Sequence, residues 1–273
     1  MILFRDISMW QGNYNMNNGD PAVAIKMCGG DNGLYYDSKA AANYNNAVSN
    51  DKTIIMYYFY GGQDPITEAD YFIGACSPLA ENDIMALDIE RGSTWNPQTD
   101  PGAVAKVTTM ANHIHDRTGM WPLVYMNMST ANMYDWSPVF NNSGYWCAAP
   151  SFGFDATLPV KYPQVAQQGP IVGGVDTDAF FGTVDQLKAY GYHAPAAPVV
   201  APTPVPVQVA PPAPEPVVAP PVQPPPIVPP VVPPVVVKPP VVLPSLKNNV
   251  PKPVSVIHYT WLYRLLKWLH LIK

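Results

Sequence analysis

The chain has 273 residues, 34 of them proline, with 48% hydrophobic and only 13% charged residues. Its net charge of −5 averages two unlike stretches: residues 1–193 carry 9 Lys+Arg against 19 Asp+Glu, whereas residues 194–273 carry 6 against 1. An acidic first stretch excludes nucleic acid as its expected partner, because phosphate binding draws on clustered Lys and Arg. Of the prolines, 23 fall between Ala194 and Pro253, so the composition predicts three regions: a globular domain at 1–193, a Pro/Val-rich linker at 194–253 and a short C-terminal segment at 254–273.

In chain order, Met1-Ile2-Leu3-Phe4-Arg5-Asp6 brings base and acid within six residues, so no signal peptide is expected. Asp6 stands at the predicted end of a first strand. A helix is expected from Asp37 to Val48, then a buried strand over Thr53–Tyr60, which is β-branched and aromatic and stops at Gly61-Gly62. Thr67 is the expected cap of a helix reaching about Cys76. Strands follow at Ile84–Glu90, Leu123–Met126 and Gly144–Ala149, and Asp100-Pro101 opens a helix reaching Arg117. Strands alternating with helices predict parallel pairing, in an α/β barrel or a doubly wound sheet.

The prolines after Ala194 forbid a continuous membrane-spanning helix and favour an extended polyproline spacer. At about 3.1 Å per residue such a spacer reaches roughly 190 Å at most. Beyond it, helical spacing groups Trp261, Leu262, Leu265, Trp268, Leu269 and Ile272 on one face and Arg264 and Lys267 on the other, with Lys273 at the end. Trp261, Arg264, Lys267, Trp268 and Lys273 are thus expected to attach the chain to an anionic membrane or wall polymer. A plain interaction helix is the alternative.

The most informative local feature is Leu87-Asp88-Ile89-Glu90. Residues two apart in a strand share a side, so both carboxylates face together, and their proximity raises the proton affinity of one. The plainer reading is a strand end meeting solvent. Asp6 and Asp176 add two further acids near predicted strand ends. With Trp10, Tyr58, Tyr125 and Trp146 as stacking surfaces, these acids describe a sugar cleft on the face where an α/β barrel builds its chemistry. His113 and His115 lie two apart on a helix and so point to different faces, and three cysteines lack a short pairing, so no metal and no cofactor is expected.

The ordered set of motifs resembles glycoside hydrolase family 25, the Chalaropsis-type lysozymes. Asp6-Ile7-Ser8-Met9-Trp10-Gln11-Gly12 is similar to the family's opening Asp-x-Ser-x-x-Gln-Gly. Lys26, Asp37 and Asn43 resemble its second-strand region, Tyr57–Tyr60 its aromatic third strand, and Asp88-Ile89-Glu90 its Asp-x-Glu. Gly174-Val175-Asp176-Thr177-Asp178-Ala179-Phe180 resembles the closing Val-Asp-x-Asn-x-Phe. Cys28-Gly29-Gly30 departs from the usual Ser/Thr-Glu-Gly, and Asp178 stands where the family carries Asn.

The resemblance implies a modified (β/α) TIM-like barrel whose last strands lose their helices. It also implies hydrolysis of the β-1,4 bond between N-acetylmuramic acid and N-acetylglucosamine in peptidoglycan. By the same carry-over Glu90 is the general acid/base, Asp88 steadies positive charge or the 2-acetamido group, and Asp6 and Asp176 complete an acidic floor. Trp10, Gln11, Tyr58, Tyr125, Trp146 and Asp178 are the expected substrate contacts. The biological expectation is a phage endolysin made in a host cytoplasm, or a virion-borne enzyme, acting on the wall. A non-catalytic wall-binding barrel and a membrane-disrupting tail delivered by the barrel are the competing readings.

Overall fold

A computed structural model of the chain describes residues 1–194. The expected linker and amphipathic helix lie outside the described residues.

Nine strands form one sheet: β1 (Ile2–Ile7), β2 (Ala22–Gly29), β3 (Tyr35–Tyr36), β4 (Thr53–Phe59), β5 (Ile84–Asp88), β6 (Leu123–Asn127), β7 (Tyr145–Ala148), β8 (Gln164–Val172) and β9 (Val175–Phe180). Their order is β1-β9-β8-β7-β6-β5-β4-β2-β3, and a further β1–β2 pairing closes eight of them into a barrel. β1, β2 and β4 to β8 run parallel around the wall; β9 is antiparallel to both neighbours, and β3 is a short antiparallel addition to the end of β2. This is the modified barrel, and the doubly wound alternative is set aside by the closing pair. The antiparallel strand has a local cause. Gly173 and Gly174, at φ 63° and 81°, form a two-residue turn between Val172 and Val175, a conformation that side chains other than glycine's resist.

Helices α1 (Ala40–Ser49), α2 (Pro65–Cys76), α3 (Ala103–Thr118), α4 (Met128–Met133) and α5 (Ser137–Phe140) cover the outside, and α6 (Val184–Lys188) follows β9. The cap of α2 differs from expectation. Asp64, not Thr67, is the N-cap; its Oδ2 accepts from the Thr67 N–H at 2.8 Å, and Pro65 takes the first turn where no N–H is needed.

Strand alternation sorts the barrel into two cores. Inside lie Phe4, Ala22, Ala24, Ile55, Tyr57, Ile84, Ala86, Leu123, Trp146, Ala166 and Phe180, with Leu187 of α6 joining them next to the β9 end of the barrel. Outside, Ile25, Met56, Tyr58, Leu87, Val124 and Cys147 pack against helix residues such as Phe72, Val107, Met110 and Ile114. Alanines at Ala22, Ala24, Ala86 and Ala166 leave room for the large inner side chains. All three cysteines are free and buried.

Candidate active site

The strand registers carry acids to one end of the barrel. Asp6 lies opposite Asp176 across the β1–β9 pair, and Asp88 is flanked by Phe59 of β4 and Tyr125 of β6. Glu90 follows the last residue of β5. Between it and Asp88, Ile89 is fully buried with the outer core, which leaves the two carboxylates on the inner side. Asp88 is 8% exposed, while Asp6, Glu90 and Asp176 are half-buried. A cavity of about 10 Å³, room for one water molecule, lies among Asp6, Tyr57, Asp88, Tyr125 and Trp146.

So many acids in one place hold protons tightly. Burial pushes the Asp6 carboxyl up to about 7; Asp176 and Glu90 push the same way, while a hydrogen bond from the Tyr57 hydroxyl and the charge of Lys26 oppose it. Burial and then the neighbouring Glu90 hold Asp88 well above the usual carboxylate range, again with Lys26 opposing. Lys26 is the cation these acids share. Burial alone would lower its proton affinity, but Tyr35, Asp88 and Asp6 outweigh burial and raise it, so it stays charged. Its Nζ sits 4.3 Å from the Phe59 ring centre and 5.6 Å from that of Tyr35. Tyr125 closes the opposite wall, donating its hydroxyl to Gln168 Oε1 at 2.7 Å. Beneath, Trp146 meets Phe4 and Tyr125 edge-on at 5.4 and 5.2 Å, and its Nε1 donates to Asp178 Oδ1 at 2.9 Å.

The fold brings Asp6, Asp88, Glu90, Asp176 and Tyr125 together, with Trp146 buried beneath them. Trp10 stands on the 3-10 turn Met9–Gln11 that follows β1, 75% exposed. Three expected contacts need correction. Tyr58 is fully buried on the outer face, packed on Phe72 and donating to Glu68 Oε2 at 2.9 Å; the inner residue of that strand is Tyr57. Asp178 is fully buried below the cavity and reaches Trp146 rather than solvent. Gln11 commits its side-chain oxygen to the Ser8 N–H at 2.8 Å and the Ser8 hydroxyl at 3.2 Å, which braces the turn under Trp10.

Tyr57, Tyr35 and Gln168 were not singled out by the sequence. The register of β4 against Asp88 of β5 carries the signal for Tyr57, since Phe59 faces with Asp88 and Tyr57 lies two residues before it. Among the described residues no cluster of His, Cys, Asp and Glu could hold a metal ion. His113 pairs with Asp70 at 2.8 Å, and His115 stacks on Trp121 with ring centres 4.0 Å apart.

Fold and site together define an α/β barrel with acids gathered at the C-terminal ends of its parallel strands, the end where such barrels build their chemistry. A scan for known families matches Glycosyl hydrolases family 25 over residues 5–163, and the chain belongs to that family. The matched span includes Asp6, Lys26, Asp88 and Glu90; Asp176 lies beyond it. The chain is thus a glycoside hydrolase.

Among solved structures it is similar to the bacterial lysozyme from Streptomyces coelicolor, at 25% identity and a TM-score of 0.60, over 70% of this chain and 96% of that one. A family 25 glycosyl hydrolase from Bacillus anthracis shares the fold at 18% identity and a TM-score of 0.60, covering 70% and 94% of the two chains. So does the catalytic domain of endolysin ply40 from bacteriophage P40 of Listeria monocytogenes, at 20% and 0.55, covering 70% and 97%. A search of curated proteins finds no match.

Proposed function

We propose that the chain hydrolyses the β-1,4 bond between N-acetylmuramic acid and N-acetylglucosamine in peptidoglycan. The observation that carries this reading is the crowding of Asp88 with Glu90 and Asp6 at the barrel mouth, opposed by the cation Lys26. Such crowding keeps a proton on the Asp88–Glu90 pair above the usual carboxylate range, which a general acid at a glycosidic oxygen requires.

Glu90, the more open of the two, delivers the proton to the leaving oxygen as its bond to the sugar C1 breaks. The positive charge that develops on the sugar is met by the surrounding acids. The substrate's own 2-acetamido oxygen closes on C1 while Asp88 orients that group. Water then attacks C1, the C1–acetamido oxygen bond breaks to restore the acetamido group, and the Glu90 carboxylate takes the water's proton, restoring the acid. Trp10 and Tyr125 supply ring faces for the sugars, Trp146 supports them from beneath, and Lys26 limits the repulsion among the carboxylates.

Within this chemistry we place the chain as a phage endolysin. That role is suggested by an endolysin catalytic domain of the same fold and by the Pro-rich, cationic composition of residues 194–273. In the same reading residues 254–273 hold the enzyme on an anionic membrane or wall polymer. Truncation after His193 then leaves hydrolysis of soluble wall fragments intact and lowers binding to whole cells; equal binding by both forms removes the attachment role.

The deciding experiment identifies the reducing end released from purified peptidoglycan. A new muramic acid end is expected, whereas an N-acetylglucosamine end or no new end refutes the reading. Glu90→Gln is expected to lower turnover by about 10²–10⁴-fold with unchanged thermal unfolding. Near wild-type turnover in that variant takes Glu90 out of its role.

A further inference from the structure

Asp178 is a carboxylate that the proposed chemistry does not use, and its surroundings are unusual. It is fully buried, with one oxygen accepting from Trp146 Nε1 at 2.9 Å. The other oxygen, Oδ2, is buried without a hydrogen-bond partner. Among the described residues no ion pair reaches it. Its neighbours in register are Phe4 on β1 and Gln168 on β8, neither charged. The titratable groups that face it are Asp6 and Asp176 from β1 and β9 and the Tyr125 hydroxyl from β6, while Arg5 acts on it weakly from β1. Arg5 is itself turned toward Asp20, 3.7 Å away.

A bare carboxylate in this position would face two like charges with one neutral hydrogen bond to offset its lost hydration. Burying an ion so poorly compensated costs several kcal/mol, and the group takes a proton instead. A protonated carboxyl costs least in these contacts: Oδ1 remains an acceptor for the indole N–H, and Oδ2 carries a proton whose missing acceptor is a smaller penalty than a buried charge.

We propose that Asp178 works as a neutral carboxylic acid, a positioning residue that fixes Trp146 as the floor of the cleft without adding charge to it. This rests on the glycosidase reading for its consequence and on the burial and hydrogen bonding of Asp178 for its substance. It also explains how the chain tolerates an acid where its family resemblance places Asn: a protonated carboxyl and a carboxamide have the same shape, and both offer an acceptor and a donor. The negative charge of the cleft is left to Asp6, Asp88, Glu90 and Asp176.

The test compares Asp178→Asn with wild type in the full chain at pH 7. Their infrared difference spectrum is expected to show a protonated carboxyl C=O band lost in the variant; a lost carboxylate band overturns the proposal. In wall hydrolysis, Asp178→Asn is expected to keep kcat and KM within about threefold, with the acid limb of the pH profile unmoved. An acid limb displaced downward by about one unit or more overturns it too, because removing a real negative charge beside Asp6 would weaken proton binding there. Asp178→Ala leaves the indole N–H unmet, so KM is expected to rise about tenfold.

Should Asp178→Asn not fold, Trp146→Phe provides the same spectroscopic test. Losing the indole donor is expected to shift the C=O band to higher frequency, and a spectrum without such a shift counts against the proposal. An inactive wild-type chain would refute the enzymatic reading, while the infrared result would still decide the protonation of Asp178.

Discussion

Two buried carboxylates, one on each side of the barrel wall, have opposite surroundings. Glu68 of α2 is fully buried outside the barrel. Its Oε2 accepts from the Tyr58 hydroxyl at 2.9 Å and the Gly61 N–H at 2.8 Å, and its Oε1 from the Gln63 N–H at 2.6 Å. Asp88, inside, is nearly as buried, yet one of its oxygens has no hydrogen-bond partner and the charge that acts on it most strongly is that of another acid. Burial raises proton affinity in both. What separates them is saturation and place: Glu68, with both oxygens met, holds structure together, whereas Asp88, unmet among like charges and lining the cavity, costs stability and is open to chemistry.

The sharpest way to break this contrast is Asp88→Asn. Removing the acid that lines the cavity with an unmet oxygen is expected to lower turnover by about 10²–10³-fold, the scale for losing a preorganised electrostatic group. Thermal stability should not fall, because a neutral amide replaces a poorly compensated acid. Reducing-end release and a melting curve measure the two halves. Activity within about tenfold of wild type would dissolve the distinction from Glu68.

The mirror experiment is Glu68→Ala, which strands the Tyr58 hydroxyl and the Gly61 N–H in a buried space and removes the acceptor of the Gln63 N–H. A loss of about 3 kcal/mol in urea unfolding is expected, with the folded enzyme's kcat within about twofold. A drop in kcat without a stability loss would move Glu68 into the chemistry.

How much of this was legible in the sequence follows from the same wall. Asp88 and Glu90 could be paired because period-two alternation beside a buried Ile89 leaves no other arrangement. The phase of β4 could not be read. Thr53–Phe59 is buried on both faces nearly throughout, so no polar alternation marks which tyrosine points inward. Register with β5 fixes Tyr57 inside and Tyr58 outside, and register is a property of two strands, not of one.

The β8–β9 hairpin was legible in principle: two glycines between Val172 and Val175 form a turn signal. The departure at Cys28-Gly29-Gly30 has a tertiary reason. Side chains at Gly29 and Gly30 would collide with Tyr35 and with Glu68 and Tyr58, residues supplied by three other elements.

Asp6 sharpens the comparison through pH. Its carboxyl is raised to about 7 in the fold from 3.8, so the folded state binds that proton more tightly than the unfolded chain. The resulting stabilisation is fully present below about pH 4 and is lost as pH rises through 7. Asp6→Asn has no proton to lose. Its stability relative to wild type is expected to be near zero at pH 4 and to grow, on the order of 1–3 kcal/mol, by pH 8. Urea unfolding at the two pH values checks it. A difference that does not grow with pH would place Asp6 among the satisfied acids, with Glu68.

The smallest effect concerns aromatic rings and not acids, and it tests the same wall. Trp10 is three-quarters exposed on a turn held without its ring: Ser8 and Gln11 cap each other, and the Met9 N–H donates to Asp37 Oδ2 at 2.9 Å. Trp10→Ala should therefore leave unfolding unchanged. Losing one stacking face of about 1 kcal/mol raises KM about fivefold at constant kcat. Tyr58→Phe is the outer counterpart. It removes one of the three donors to Glu68 and should cost about 1 kcal/mol of stability with KM unchanged. If instead Tyr58→Phe raised KM and Trp10→Ala did not, the strand phase of β4 and the inner face drawn from it would both be wrong.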